Sequence, residues 1–325
     1  MDEPTEWTIT TSMQPNPEDY LFDLEEALLS VVSLRAEIPS DAFTAPILGT
    51  ERGGNGIVID ENGLVLTIGY LITEAETIWL LGNTGIAAPA HVVAYDQETG
   101  LGLVQALDRL NLPALEFGDS TELDVGDLAI VAGSGGLEQA ITVEISAKHE
   151  FAGYWEYVLD EALFSAPPHP NWGGSALIGE DGKLYGVGSL FVQQSGPDDD
   201  QIDGNMIVPI NVVKPILNEL LTLGRQNKPP RPWLGMYAAE AEGRLVVVGL
   251  ADKGPAQAAG VEPGDLVLGV AGQPSTNLVS MFRRVWSLGD AGVDIPLTLI
   301  RQGQIVDVTI SSADRTTFLK APQLH

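Results

Sequence analysis

Gly54-Asn55-Gly56-Ile57-Val58-Ile59-Asp60-Glu61-Asn62-Gly63-Leu64-Val65-Leu66-Thr67 is two short apolar runs separated by an acidic turn that closes on Asn-Gly. An Asn-Gly step between two apolar runs supplies the backbone conformations of a tight hairpin. The stretch predicts an antiparallel strand pair. Comparable runs lie at Val31 to Leu34, Thr77 to Leu81, His91 to Ala94, Leu101 to Gln105, Leu128 to Ala132, Ile141 to Ser146, Tyr157 to Leu159, Ala176 to Ile178, Leu184 to Val187 and Met206 to Pro209. Short runs punctuated by many of the 36 Gly and 21 Pro predict a mostly β chain of closed barrels or sandwiches.

Helical spacing occurs in few places. Tyr20, Leu21, Leu24, Ala27, Leu28, Val31 and Val32 recur on one face, and Val212, Ile216, Leu217 and Leu220 do so within Asn211 to Leu223. Gly224 reads as a C-cap, and Arg225 to Arg231 as a Pro-rich linker. Beyond it come runs at Leu245 to Leu250, Leu266 to Val270, Leu297 to Arg301 and Ile305 to Ile310, with helical patterns at Pro255 to Ala259 and Leu278 to Ser287. The expected organisation is an acidic, poorly ordered arm over 1–19, a double-barrel domain over 20–224, a linker over 225–231, a smaller domain over 232–314 and a loose tail over 315–325.

Sixteen Lys and Arg against 45 Asp and Glu give a formal net charge of −29. Such a surface repels phosphates and anionic lipid, which excludes nucleic-acid and membrane-surface binding as expectations. With no cysteine, disulfides, thiolate metal sites and cysteine nucleophiles are excluded. No apolar run reaches the length of a membrane-spanning helix, and 1–19 does not resemble a signal peptide, so either the chain is cytoplasmic or a signal has been removed. Asp198-Asp199-Asp200 with Asp203 lacks the ligand spacing of a calcium loop, and Gly133-Ser134-Gly135-Gly136 lacks a phosphate-binding Lys. No metal and no cofactor is expected.

From about Leu24 to Ile310 the chain resembles the HtrA (Deg) family of trypsin-like serine proteases that carry a C-terminal PDZ domain. The resemblance rests on Gly54 to Ile59 leading into Gly63 to Thr67, on Phe117-Gly118-Asp119-Ser120 continuing to Val125-Gly126-Asp127, and on Val208-Pro209-Ile210-Asn211. It implies a chymotrypsin/trypsin-like double β-barrel followed by an α/β PDZ domain.

In that family a His follows the strand-Thr-Asn segment, an Asp sits in Thr-Asp-Leu-Ala, and the nucleophile lies in Gly-Asn-Ser-Gly-Gly-Pro. A serine hydroxyl needs an imidazole to take its proton and a carboxylate to orient that imidazole. Here Tyr70 stands at the His position, Gly100 at the Asp position and Gly173 at the Ser position. The resemblance therefore implies a pseudoprotease, with Asn171, Trp172 and Gly173 as the remnant of the oxyanion loop. Ser175 becomes a nucleophile only if the loop slips by two residues, and none of His91, His149, His169 and His325 falls at the family's position.

The resemblance also implies a peptide site. Arg231, Trp233, Leu234, Gly235 and Met236 match the family's carboxylate-binding loop, the strand entered at Met236 and Tyr237 would pair with a peptide, and Leu278, Met281, Phe282 and Val285 are candidates for the pocket that takes its last side chain. Gly254-Pro255-Ala256 through Gly260-Val261-Glu262-Pro263-Gly264-Asp265 carries the likeness to PDZ domains. Expected partners are peptide C-termini or unfolded protein segments, together with an active relative that the chain would regulate or scaffold in protein quality control. The family is extracytoplasmic, in bacteria periplasmic, and active members form trimers through N-terminal aromatic residues, here Tyr20 and Phe22, whose spacing fits intramolecular packing equally well. A serine endopeptidase with a non-standard active site and a purely structural assembly protein are the alternatives.

Overall fold

Asp60 accepts a hydrogen bond from the Asn62 N–H at 2.6 Å, the Gly63 N–H bonds back to the Asp60 carbonyl at 3.0 Å, and Ile59 pairs with Leu64 at 2.9 Å. The turn read from Asp60 to Gly63 thus joins two strands in a computed structural model that describes residues 8–195 and 201–320. These strands are β2 (Glu51–Val58) and β3 (Leu64–Ile68); with β1 (Val31–Glu37), β4 (Thr77–Leu81), β5 (Ala87–Tyr95) and β6 (Leu101–Ala106) they close a barrel in the order β1-β2-β3-β6-β5-β4. A second barrel, in the order β10-β11-β12-β9-β8-β7, comprises β7 (Leu128–Ala132), β8 (Ala140–Gly153), β9 (Tyr157–Ala166), β10 (Ala176–Ile178), β11 (Leu184–Ser195) and β12 (Gln201–Pro209). The mostly β double barrel is the architecture the resemblance implies.

The chain divides into two compact units, one holding 8–149 and 161–226, the other 150–160 and 227–320. Closure leaves neither barrel with a free edge, and each is filled by aliphatic side chains; Ile57, Leu66, Leu101 and Leu103 are fully buried in the first, Val131, Ile141 and Leu163 in the second. The helices of this unit are short. They are α1 (Leu24–Leu29), capped by Asp23 on the Glu26 N–H, α2 (Ala45–Leu48) and α3 (Leu217–Leu223). The helix expected from Asn211 starts only at Leu217, after a 3-10 turn at Ile210–Val212, because Pro215 cannot supply an N–H to a helix interior.

The second unit is built on β13 (Met236–Ala241), β14 (Arg244–Leu250), β15 (Leu266–Val270), β16 (Gln273–Pro274), β17 (Asp294–Arg301) and β18 (Gln304–Ser311). They form one sheet in the order β13-β14-β15-β17-β18 with β16 on β15, accompanied by α4 (Pro255–Ala258) and α5 (Leu278–Trp286). A capping box between Asn277 and Ser280 starts α5, whose apolar face (Leu278, Met281, Phe282, Val285) is buried against Met236, Val247, Val267 and Leu297. Edge strand β13 begins at the loop Trp233 to Gly235.

Three expected boundaries are corrected. Residues 8–19 are not a loose arm: Ile9 and Met13 pack against the second barrel, and the Met13 carbonyl accepts from the Thr142 N–H at 2.9 Å. Two isolated apolar residues in a polar stretch leave no periodic trace, so the docking is invisible in sequence. The tail likewise begins too early, since Asp314 caps a 3-10 turn at Arg315–Phe318 and the Phe318 ring lies 4.9 Å from that of Trp233. Finally, β8 and β9 run well past the expected Ile141 to Ser146 and Tyr157 to Leu159, and their tip, 150–160, belongs to the second unit. The acidic run Asp198 to Asp200 and His325 lie outside the described residues, whereas Asp203 accepts from the Gln193 amide at 2.9 Å.

Candidate functional site: a filled cleft and a filled groove

The first unit brings Tyr70, Gly100 and Gly173 into one neighbourhood. Tyr70 lies in a 3-10 turn, Gly69–Leu71, directly after β3, and the Gly69 N–H donates to the Gly100 carbonyl at 2.7 Å. Gly100 sits at φ +73°, where any side chain, a carboxylate included, would strain the backbone. A Cβ built on Gly173 would meet Tyr70 Oη at 2.7 Å. The phenol therefore fills the room a side chain at 173 would need. Its hydroxyl donates to the Ser189 carbonyl at 3.0 Å, and burial raises its pKa further above the ordinary phenolic value. A neutral donor in this place cannot take a proton from a hydroxyl.

Arg52 fixes the turn from below. Its guanidinium donates to the carbonyls of Tyr70 at 2.8 Å and Thr73 at 3.0 Å and to Thr44 Oγ1 at 2.8 Å, while Glu74 accepts from Thr44 N and Oγ1 at 2.7 and 2.6 Å. Desolvation lowers the Arg52 pKa and the nearby Glu74 charge opposes that fall, as expected for a buried cation held beside an anion.

The loop at 171–175 is tied down by Asn55, a residue whose part was not legible in sequence. Its N–H and Nδ2 donate to the Gly173 carbonyl at 2.8 and 3.1 Å, Nδ2 also reaches the Asn171 carbonyl at 2.8 Å, and Oδ1 accepts from the Ser134 N–H at 2.8 Å. Within the expected oxyanion remnant, Asn171 N–H is turned inward to His169 Nδ1 at 3.0 Å, and just beyond it Gly174 N–H donates to the Gly188 carbonyl at 2.8 Å. Trp172 offers its carbonyl to Ser175 N–H and Oγ at 3.0 and 2.9 Å, and its ring lies 5.8 Å from that of Phe191. Ser175 is 1% exposed, with its hydroxyl against Gly188.

His169 is a satisfied core histidine. Because Nδ1 accepts the Asn171 N–H, the ring proton sits on Nε2 and is donated to the Gln139 carbonyl at 3.0 Å. The backbone N–H of His169 is held by Asn205 at 2.6 Å, and burial lowers the imidazole pKa. His91 is exposed on β5, and His149 stacks on Phe164 at 4.2 Å. No group of three or more His, Asp and Glu side chains suited to a metal ion occurs among the described residues.

In the second unit the predicted loop does gather backbone donors. Gly235 at φ +67° turns the N–H groups of Leu234, Gly235 and Met236 toward one point, a nest suited to an anion. That point is occupied by the Glu156 carboxylate, which accepts from Leu234 at 2.9 Å, Gly235 at 2.7 Å and Met236 at 3.1 Å. Two residues earlier, the Tyr154 carbonyl accepts from the Ala238 N–H of β13 at 3.2 Å, and the Tyr154 ring meets Tyr237 edge-on at 6.0 Å. Val158 joins the buried cluster that contains Leu278, Met281, Phe282 and Val285. Glu156 is 6% exposed; desolvation raises its pKa to about 7 against the opposing pull of the N–H groups and of Arg315.

Two of the expected peptide contacts are engaged elsewhere. The Arg231 guanidinium lies 4.4 Å over the Trp286 ring, and Trp233 pairs with Ala313 through its backbone and with Phe318 through its ring. Glu156 itself was missed. The signal open to sequence reading was an acidic residue amid Phe151, Tyr154, Trp155 and Tyr157 at the end of a long hairpin.

Residues 54–187 match the model of the trypsin-like peptidase domain. The chain is 28% identical over 290 residues to a probable periplasmic serine endoprotease DegP-like of Chlamydia pneumoniae, covering 83% of this chain and 57% of that protein. To the protein of the same description in Pseudomonas putida (strain W619) it is 30% identical over 280 residues, covering 80% and 56%. The chain thus spans somewhat more than half the length of these curated relatives. Among solved structures, the HtrA-type protease AlgW with tripeptide aligns over 95% of this chain and 99% of that one, with 22% identity and a TM-score of 0.53.

Proposed function

We propose, from the premise that this chain belongs to the HtrA family of trypsin-like serine proteases, that it is a member without peptidase chemistry which binds the C-termini of other polypeptides through its second unit, read as a PDZ module. The observation that carries the reading is the contact between Tyr70 and Gly173: the phenol fills the space of the missing nucleophile. Each role of the triad is without a group to perform it. A buried phenol keeps its proton, Gly100 has no carboxylate to orient a base, and the free lone pair of His169 is spent on the Asn171 N–H. Ser175 does not restore the chemistry, because its hydroxyl is buried and donates to a carbonyl.

Support for peptide binding comes from the nest at Leu234 to Met236 beside edge strand β13, the two parts needed to hold a terminal carboxylate and to add a strand. A relative solved with a tripeptide is consistent with it. Like the relatives described as periplasmic, the chain would work outside the cytoplasm, regulating or scaffolding an active protease, and as a homotrimer through the region of Tyr20 and Phe22. Within one chain those two rings lie 5.4 Å apart.

Casein digestion and labelling with a fluorophosphonate, which reacts with activated serines, test the first half. The expected result is neither cleavage nor labelling by the pure protein. Labelling at Ser175 that Ser175→Ala removes would overturn the reading in favour of a serine endopeptidase. For the second half, decapeptides with four randomised C-terminal residues should be retained as free acids and not as C-terminal amides; no preference would leave a structural assembly protein.

A further inference from the structure

We infer that Glu156 is an intramolecular ligand of the carboxylate nest, so that an external peptide enters the groove only by displacing the tip of the β8–β9 hairpin. The inference rests on the peptide-binding reading of this groove and adds the ligand class, a free C-terminal carboxylate, and the group it must compete with.

The hairpin tip imitates a bound peptide at two points. Its carboxylate occupies the three N–H donors, and the Tyr154 carbonyl takes the Ala238 N–H, the first backbone pairing an added strand would make with β13. A peptide carboxylate cannot be added to a nest already holding the Glu156 carboxyl group, because the donors are consumed. A peptide strand likewise cannot pair with an edge that is already paired. Ion pairs of Arg283 on α5 with Glu150 at 3.0 Å and Asp160 at 2.7 Å hold the two sides of the tip.

An independent observation points to the side chain rather than to the turn. Between Gly153 at the end of β8 and Tyr157 at the start of β9, three residues make the connection, and Glu156, the third, sits at φ +62°. Hairpins of this length place Gly at the left-handed position, where a non-glycine residue is strained. Hairpin geometry alone would select Gly. The strain at 156 is offset by what the carboxylate does in the nest.

The same geometry supplies the test, since Glu156→Gly removes the carboxylate while suiting the backbone of the turn. Full-length chain, Glu156→Gly and Glu156→Gln are compared in binding of the randomised decapeptides, free acid and amidated, by fluorescence anisotropy, and in amide hydrogen exchange at Leu234 to Ala238 without peptide. Circular dichroism checks that both variants fold. The expected result is binding of the free-acid pool at least tenfold tighter by Glu156→Gly than by the unaltered chain, with Glu156→Gln between them and the amidated pool unimproved. Exchange at Leu234, Gly235 and Met236 should rise at least tenfold in Glu156→Gly, with β15 and β17 unchanged. Equal peptide binding by the unaltered chain and Glu156→Gly would overturn the competition, and unchanged exchange would overturn the seating itself. If exchange rises but no chain retains free-acid peptide, Glu156 stands as the nest's occupant and the peptide-binding reading falls.

Discussion

The cleft at Tyr70 and the groove at Glu156 are both filled by a side chain of the protein itself, but on different terms. At Tyr70 a phenol stands against a glycine, and the backbone around them is woven into a buried network through Arg52 and Asn55; under the proposed reading the groups that would do chemistry are replaced. At Glu156 three N–H donors converge on a carboxylate at a hairpin tip; under the proposed reading the binding groups are intact and covered. Replacement is built into the fold. Covering, if a peptide competes for the nest as inferred above, is an equilibrium set by how well one carboxylate is held.

The contrast can be broken first at its firmest point. Arg52→Met would leave Glu74 buried beside carbonyls that have lost their donor, and should lower stability by ~3–5 kcal/mol in urea unfolding. A loss below about 1 kcal/mol would mean that the Tyr70 turn is held by something other than this network.

Next in size is a pH dependence of opposite sign in the two regions. Glu156 has its pKa raised from 4.5 to about 7, so the seated tip binds more protons than the released one between those values. Its seating is strongest below pH 4.5 and weakens as pH rises toward 7, by roughly 3 kcal/mol in all. Arg315 and Tyr237 act on it electrostatically, and Tyr154 acts on Tyr237. His169 has its pKa lowered from 6.5, so its contribution is present above 6.5 and is lost as pH falls. Hydrogen exchange corrected for intrinsic rates should show Leu234 to Met236 opening more readily at pH 8 than at pH 5, and the amides around His169 the reverse.

Gly173→Ser sharpens the comparison further. The new Cβ meets Tyr70 Oη, so the variant should lose ~1–3 kcal/mol of stability and gain no hydrolysis of casein. Hydrolysis by this single variant would show that a base is already in place. The smallest effect belongs to Tyr70→Phe, which deletes one hydrogen bond to Ser189 and should cost about 1 kcal/mol in the same unfolding assay.

Where structure follows from neighbours in sequence, it was readable. The Asp60 to Gly63 turn, the exact limits of β4, β7, β10 and β15, and the gathering of N–H groups at Leu234 to Met236 all follow from local pattern or motif. What escaped depends on pairing over long separations. Asn55 acts on residues more than a hundred positions away, and Ile9 and Met13 dock as isolated apolar residues. The strand β8 continues through Lys148-His149-Glu150, where alternation of apolar and polar residues fails. Glu156 combines these difficulties: a carboxylate at a turn is ordinarily a solvated one, and only the fold shows that this one is buried.

A glutamate codon becomes a glycine codon by one base change, and at position 156 that change would ease the backbone rather than burden it. The cost of the change falls instead on the N–H groups of Leu234, Gly235 and Met236, which lose their acceptor. Glutamate at this turn should therefore persist wherever the nest stays covered, and glycine should replace it where an external ligand has taken its place.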